Sequence, residues 1–286
     1  MAEHRLQEII TVRNNCMVIY KQRFVTVAEC WYTMPSLSYR ADILYCLQLD
    51  SPLEGNRTSE FKTIWIDLGK SEDDLLRAMH ANTRNRIRRA AQEKFKYEFW
   101  HIDASEQLEV FGDFFEKHAS HRGSLREMHR WTRAHAKHGT LDLSRVSDAE
   151  GRVLVWHAHY RDREYARGKY SVSRSRASNP DLRSAIGRAN RYHTWQDIQR
   201  FKGAGMSVYD LGGWYSGNDD AKLLGVNRFK EEFGGRVVTT FHCSRALTAK
   251  GRLYLWAADI RARLSHTAFQ CFRKNPSRTS ATLPAG

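Results

Sequence analysis

The spacing of apolar residues changes several times along the chain, and each change predicts a new element. Before residue 70, β-branched and aromatic residues concentrate in three runs, 17–28, 43–49 and 62–68, which predict strands. From Ser71 to about residue 91 the apolar residues return every three or four positions, which predicts one helix. Ser71 and Asp74 have the spacing of a capping box at its start.

The remainder of the chain alternates between strand and helix patterns. Asn179 followed by Pro180 is a strong helix start, and Gly203 and Gly205 mark the end of the same helix. The predicted elements, in chain order, are a strand at 96–101, helices at 105–118 and 126–138, strands at 141–146, 152–160 and 165–173, a helix at 180–202, a strand at 206–211, a helix from 219 or 220 to Gly234-Gly235, a strand at 236–243 and a helix at 248–273.

Composition adds a basic surface to this outline. The 286 residues carry 46 Lys and Arg against 32 Asp and Glu, a net charge of +14, which favours nucleic acid, a phosphorylated substrate or an acidic membrane face as partner. No apolar run is long enough to span a membrane, and the N-terminus has no signal-peptide pattern. Five scattered Cys predict reduced thiols, and hence a cytoplasmic location.

Peripheral membrane contact stays open for the last predicted helix. Its apolar stripe includes Leu253, Trp256 and Ile260, with basic residues elsewhere on the helix. Packing on the body of the protein is the favoured interpretation of this stripe, and a membrane-surface helix is the alternative.

The strand at 206–211 ends in an unusual sequence, Asp210-Leu211-Gly212-Gly213. Glycines at a strand tip let a ligand or another backbone approach closely. Asp210 exposes a carboxylate at the same point. It is a candidate to orient an amine or accept its proton, and the alternative is that it caps the turn at the two glycines.

Four segments together resemble the Fem-type acyltransferases. They are residues 83–90 (TRNRIRRA), 186–191 (IGRANR), 209–213 (YDLGG) and 229–235 (FKEEFGG), and the similarity spans residues 62–245. The resemblance implies an acyltransferase, and several family members transfer an amino acid from aminoacyl-tRNA to an amine on a cell-wall precursor or a small metabolite.

The resemblance also implies the fold. We expect an α/β (α+β) fold with a GNAT-like (acyl-CoA N-acyltransferase) mixed sheet flanked by helices, in two acyltransferase-type lobes of which the first is abbreviated. The expected domains are an abbreviated lobe at 1–103, a second lobe at 104–247, a C-terminal helix at 248–273 and a disordered tail at 274–286. The sheet of this fold opens between two central strands, where the carbonyl of the donor lies.

Residue roles follow from the same resemblance. Lys230 matches the lysine of the family's Phe229-Lys230 pair, which stabilises the carbonyl oxygen or the departing ribose hydroxyl. Tyr215 is a candidate donor to the leaving group, and Gly212 and Gly213 permit close approach of the ligand.

Phosphate contacts are expected from a second set of residues. Arg84 and Arg88 share one face of the first predicted helix, where a phosphate clamp for tRNA and a solvated face are both open. The segment 184–189 only approximates the pyrophosphate signature of CoA-using relatives, because its first basic residue is missing. It contributes Gly187 and Arg188, with Asn190 just beyond, as candidate binding residues.

Three functions therefore remain open. Aminoacyl transfer from aminoacyl-tRNA to an amine acceptor, by direct attack, is the main hypothesis. An acyl-CoA-dependent N-acyltransferase and a non-catalytic RNA- or envelope-binding module are the alternatives. We predict no bound cofactor and no metal, because His157, His159 and the other histidines have no Asp, Glu or Cys partner at a typical ligand spacing. The sequence leaves the oligomeric state undetermined.

Overall fold

A computed structural model describes residues 17–34, 40–102, 106–119, 125–174 and 179–273 of the chain, and these contain ten strands and seven helices. The predicted tail at 274–286 lies outside them. The strands are β1 Met17–Gln22, β2 Val25–Trp31, β3 Ile43–Leu49, β4 Arg57–Asp67, β5 Lys96–Ile102, β6 Leu141–Ser147, β7 Val153–Arg161, β8 Tyr165–Ser173, β9 Val208–Gly213 and β10 Arg236–Ala246. The helices are α1 Glu72–Ala78, α2 Ala81–Gln92, α3 Glu106–His118, α4 Leu125–Lys137, α5 Pro180–Gly203, α6 Ala221–Glu231 and α7 Ala249–Arg273.

All ten strands join one mixed sheet in the order β1-β2-β3-β10-β4-β9-β8-β7-β6-β5. Neighbouring strands are antiparallel except for β2 with β3 and β8 with β9. The predicted mixed sheet flanked by helices is therefore confirmed. The domain boundaries stay predictions, although strands from the stretches 1–103 and 104–247 interleave, since β10 lies between β3 and β4.

Two predicted elements are divided in the structure. The run 17–28 forms two strands of a hairpin, because the chain turns at Arg23, whose φ is 58°. The single helix predicted at 71–91 is interrupted where Met79 and His80 adopt extended conformations. Ser71 accepts a hydrogen bond from the Asp74 amide at 3.1 Å, so the predicted cap is present.

Helices cover the two faces of the sheet with separate apolar clusters. On one face α5 packs Ile198 and Phe201 against Tyr209 of β9. On the other face, Phe111 of α3 and Trp131 of α4 pack with Trp156 of β7. Burying each large apolar side chain contributes roughly 1.5–3 kcal/mol, so both faces are held firmly.

The sheet opens between its two central parallel strands. The ladder of β8 and β9 covers only three residue pairs and ends at Arg167 opposite Asp210. Beyond that pair, β8 carries one extra residue relative to β7, since Ala158 pairs with Tyr170 and the next β7 residue pairs with Gly168. Bulges of this kind bend a strand and re-aim its side chains.

No helix among the described residues is both long enough and apolar enough to cross a membrane.

Candidate acyl-transfer site at the opening of the sheet

Two glycines face each other where β8 and β9 part. Gly212 is buried and has a φ of +80°, a conformation that other residues adopt at a cost. A methyl group placed on it would lie 3.0 Å from the Gly168 carbonyl oxygen, 3.7 Å from Lys230 Nζ and 3.9 Å from Arg167 Nη2. The opening is therefore narrow, walled by backbone, and flanked by two cations.

Asp210 is the organising carboxylate of this opening, and it is fully buried. It accepts hydrogen bonds from Tyr32 Oη at 3.0 Å, Arg167 Nη1 at 2.9 Å and the Gly212 amide at 2.6 Å. Thr63 Oγ1 is a fourth donor. The four donors already occupy both carboxylate oxygens, and one of them is the Gly212 amide, so this arrangement favours the turn-capping alternative for Asp210.

Lys230 reaches the opening from the last turn of α6. Its Nζ donates to the Gly213 carbonyl oxygen at 2.6 Å. Burial lowers the pKa of Lys230 to about 8, an effect that Arg167 reinforces and Asp210 opposes. The ammonium therefore lies beside the strand break, and it gives up its proton more readily than an ordinary lysine does.

The opening connects the two faces of the sheet. Side chains alternate along β9, so Tyr209 packs against Phe201 of α5 while Asp210 points to the other face. Phe229 of α6 belongs to the Tyr209 cluster, and Lys230 approaches from that side. Thr63 and Arg167 lie on the Asp210 side, because both bind its carboxylate.

Other residues predicted for the site have supporting contacts. Phe229 packs edge-on against Phe233 at 5.4 Å between ring centres, which fixes the end of α6. Gly213 approaches Phe61, since a methyl group there would lie 3.1 Å from its ring. The Tyr215 hydroxyl donates to Asp219, and its backbone is held by Asn227, so no contact places it at the opening.

Two of the arginines predicted to bind phosphate have partners within the protein, and their phosphate contacts stay predictions. Arg84 Nη1 donates to the carbonyl oxygens of Leu76 at 3.3 Å and of Met79, at the C-terminal end of α1. Arg188 forms an ion pair with Glu93 at 2.7 Å. Arg88 is exposed and contacts only a neighbouring asparagine through its side chain, so a phosphate contact there stays a prediction.

The segment 184–189 lies inside α5 and not at its N-terminus. Its amides belong to the helix, so they are not free to hold a pyrophosphate, as the resemblance to CoA-using relatives would require. Gly187 instead allows close packing of α5 on α2, where Arg86 Nη1 would lie 3.4 Å from an added methyl group. Asn190 donates to the Ser173 hydroxyl at 3.0 Å and to the Ile186 carbonyl at 2.8 Å.

Sequence reasoning missed three partners of Asp210, namely Tyr32, Thr63 and Arg167. Tyr32 directly follows β2, Thr63 lies in β4 and Arg167 lies in β8, and no local motif surrounds any of them. Only the strand order brings them together, so no signal in a single sequence could have identified them.

A second buried carboxylate, Asp197 of α5, was also missed. Its oxygens accept from His157 Nδ1 at 2.7 Å and from the hydroxyls of Ser144 and Tyr97 at 2.9 Å each. Ligand atoms of His157, His159 and Asp197 lie within 4.8 Å of one another, which is compatible with a metal. The hydrogen bonds already satisfy the carboxylate, so the cluster needs no ion to be stable.

Comparisons with known proteins support the fold. No protein-family model and no curated protein matches the sequence. Among solved structures, the chain is similar to FemX with a TM-score of 0.55 and 12% identity, over 79% of this chain and 83% of FemX. A conserved protein of unknown function from Bacteroides thetaiotaomicron has a TM-score of 0.48 and 10% identity, over 79% of this chain and 82% of its own. The predicted likeness to Fem-type proteins is thus confirmed at the level of the fold.

Proposed function

We propose that this protein is an acyltransferase, and that it transfers an aminoacyl group from aminoacyl-tRNA to an amine acceptor. The observation that carries the proposal is the Lys230 ammonium at the break between β8 and β9. A cation held beside a strand opening is suited to stabilise negative charge on an acyl carbonyl oxygen, and such stabilisation is a large part of catalysis in acyl transfer.

The reaction requires one bond to form and one to break. The amine nitrogen attacks the ester carbonyl carbon, and the bond from that carbon to the ribose oxygen then breaks. The amine loses a proton and the ribose oxygen gains one, so the products are an amide and a free ribose hydroxyl. Lys230, with its pKa lowered to about 8, supports the carbonyl oxyanion and supplies a proton to the departing oxygen.

Asp210 has a positioning role in this scheme. Its carboxylate holds the Arg167 guanidinium and the Gly212 amide at the opening, at 2.9 and 2.6 Å. A methyl group added to Gly212 would lie 3.0 Å from the Gly168 carbonyl oxygen, so these contacts hold a gap that leaves no room for a side chain. Correct spacing of donor and acceptor accounts for a large share of the rate in a direct-attack reaction.

The choice of donor rests on two observations. The segment that resembles a CoA pyrophosphate signature is inside α5, which disfavours the acyl-CoA alternative. The net charge of +14 suits a polyanionic donor such as tRNA. Acyl-CoA nevertheless stays the second candidate, because the opening itself would accept a thioester as well as an ester.

The test is a transfer assay with both donors. Purified protein is incubated with total tRNA charged with labelled amino acids, together with an extract of small-molecule and envelope-precursor amines, and label in tRNA-free products is counted. We expect transfer that RNase abolishes. A parallel assay with mixed acyl-CoA follows release of free thiol, and thiol release that RNase leaves unchanged would select the second candidate.

The non-catalytic alternative has a distinct outcome in the same assay. A binding module would retain tRNA affinity in Asp210→Asn and Lys230→Ala variants and would give no product with either donor. That result would overturn the proposed activity.

A further inference from the structure

On the Asp210 face of the sheet, three side chains carry nitrogens that lack partners. Arg167 Nε and His242 Nε2 are buried and have no hydrogen-bond partner within the described residues. Over the same residues, Lys169 Nζ makes no hydrogen bond or ion pair. Buried donors without an acceptor typically cost about 1–3 kcal/mol each, so a ligand that accepts from them would be favoured.

Aromatic rings bring these nitrogens together. The Arg167 guanidinium carbon lies 4.8 Å from the ring centre of Trp31 and 5.2 Å from that of Phe61. Lys169 Nζ lies 5.7 Å from the Trp31 ring centre, and His242 stacks on Phe61 at 4.2 Å. The three side chains therefore cluster around the rings of Trp31 and Phe61, next to the opening.

The bulge in β8 adds Tyr170 to the face that carries Lys169. In a regular strand Arg167 and Lys169 would share a face and Tyr170 would point away. With the extra residue in β8, both Lys169 and Tyr170 contact Trp131, at 5.5 and 5.7 Å from its ring centre. The bulge thus places a further aromatic ring beside the Lys169 ammonium, whose Nζ lies 5.9 Å from the ring centre of Tyr170.

The nearby carboxylates do not satisfy these donors. Asp210 already accepts four hydrogen bonds, one of them from Arg167 Nη1. Glu29, the other buried acid on this face, accepts from Tyr20 at 2.8 Å, Trp31 at 2.7 Å, and Trp131 and His135 at 3.3 Å each. Both acids already accept several hydrogen bonds, so an oxygen anion would supply the acceptor that the nitrogens of Arg167, His242 and Lys169 lack in the part of the chain that the structure describes.

We propose that Lys169, Arg167 and His242 form a binding site for an anionic oxygen group, phosphate or carboxylate, on the face of the sheet opposite α6. Its assignment to the acceptor substrate rests on the proposed function, because the donor carbonyl is expected beside Lys230. The acceptor would then be an amine that also bears an anionic group. Arginine and lysine pair strongly with such oxygens, and the aromatic walls exclude water from the contact.

Electrostatics supports this site. Burial, with the positive charge of Arg167, lowers the pKa of Lys169, and Glu29 opposes the shift. Burial also lowers the pKa of His242 to about 4, with Arg167 and Lys169 adding to it and Asp210 and Glu29 opposing. Near neutral pH His242 is therefore uncharged, and in the tautomer that carries its proton on Nε2 the ring is a neutral donor. A bound anion would raise both pKa values toward their ordinary range.

The test uses inorganic phosphate and acetate as probes, with no acyl donor present. Each is titrated into the full-length protein by calorimetry at constant ionic strength, balanced with chloride. We expect saturable binding to the wild type and a loss of roughly 10- to 100-fold in Lys169→Met, because a charge-assisted contact is removed. Phosphate binding without acetate binding would identify a phosphorylated acceptor, and the reverse would identify a carboxylate.

Matched variants distinguish anion binding at this site from a general effect of the protein's positive charge. Lys96→Met removes one exposed strand lysine that pairs with Glu98, and we expect unchanged binding. Lys169→Arg should bind within a few-fold of wild type, and thermal unfolding checks that each variant is folded. If Lys169→Met does not fold, His242→Phe keeps the stack on Phe61 and should weaken binding about threefold or more, since one neutral hydrogen bond is lost.

Three results would overturn the proposal. The first is that neither anion binds, and the second is that wild type and Lys169→Met bind equally. The third is that anion binding weakens in an Arg88→Met variant and not in Lys169→Met. Because no donor or turnover is involved, the acyl-transfer proposal can fail while anion binding persists, and the converse can also occur.

Discussion

Asp197 and Asp210 are both fully buried and both accept several hydrogen bonds, but their surroundings differ. Asp197 lies in a closed network in which hydroxyl and imidazole donors surround its carboxylate, and burial lowers the pKa of the neighbouring His159 and His193. Asp210 lies beside a broken strand ladder, with Arg167 and Lys230 next to it and unpaired nitrogens nearby. Polar groups that satisfy one another stabilise the fold, whereas a surplus of donors at a gap in the sheet marks a place for a ligand.

The largest expected effect is on stability at the closed network. Asp197→Leu leaves the donors of Tyr97, Ser144 and His157 without an acceptor, and we expect a loss of about 3–5 kcal/mol in the free energy of unfolding. Chemical denaturation measures it. Asp113→Asn, at an exposed position of α3, is the control and should change stability by less than about 0.5 kcal/mol. A loss below 1 kcal/mol in Asp197→Leu would contradict the closed-network description.

The second-largest expected effect is a loss of folding stability at acid pH, and it arises in the same network. Burial lowers the pKa of His159 to about 4 in the folded protein, against 6.5 when unfolded. Because the folded state disfavours the proton, stability is lost as pH falls from about 6.5 to about 4, by roughly 3 kcal/mol for this group. Denaturant unfolding at a series of pH values gives the slope. A His159→Gln variant should show a shallower slope over that interval, and an unchanged slope would assign the loss elsewhere.

Filling the opening should reduce transfer without a comparable loss of stability. Gly212→Ala adds a methyl group between Gly168, Lys230 and Arg167, and we expect transfer to fall at least about tenfold because the carbonyl of the donor is excluded. Gly205→Ala is the matched control. It has φ +78° and open space around it, so it carries the same backbone cost of about 1–2 kcal/mol without blocking anything. Equal activity in the two variants would place the reaction elsewhere.

The rate should also depend on alkaline pH. Lys230 must be protonated to stabilise the carbonyl oxyanion, and its pKa is lowered to about 8. Transfer should therefore decline as pH rises through about 8, approaching tenfold per further unit. A Lys230→Arg variant keeps its charge at high pH, and whatever activity it retains should lose this decline. An alkaline limb that persists unchanged in Lys230→Arg would exclude Lys230 as its origin.

The smallest effect is expected at Tyr215. Its hydroxyl donates to Asp219 and no contact brings it to the opening, so Tyr215→Phe should change the transfer rate by less than about threefold. A loss of a hundredfold would restore the predicted role of Tyr215 as donor to the leaving group.

Local patterns predicted most of the elements, and they failed where tertiary contacts decide. The strand at 43–49 matches β3 at both ends, because a continuous apolar run bounded by polar residues is a local signal. The break at Met79 and His80 has no such signal. It depends on a partner from another element, since the His80 amide donates to the Glu232 carbonyl at 2.9 Å.

The same holds for the candidate site, where residues in local motifs were predicted and partners from distant parts of the sequence were not. Asp210, Gly212 and Lys230 carry recognisable motifs, and the fold brings them to one opening. Arg84 was predicted from a shared helix face and Arg188 from a segment that approximates a pyrophosphate signature. Neither signal reveals that Arg84 binds the end of α1 and that Arg188 pairs with Glu93. Partners that come from distant strands, such as Tyr32, become visible only when the register of the sheet is known.

The most direct test of the acyl-transfer site compares two lysines on one helix. Lys230→Met removes the ammonium at the opening, whereas Lys222→Met removes an exposed charge from the first turn of α6. In the two-donor assay we expect Lys230→Met to lose about 10²–10³ in rate and Lys222→Met to remain within about twofold of wild type. Equal rates in the two variants, with both folded, would contradict the account.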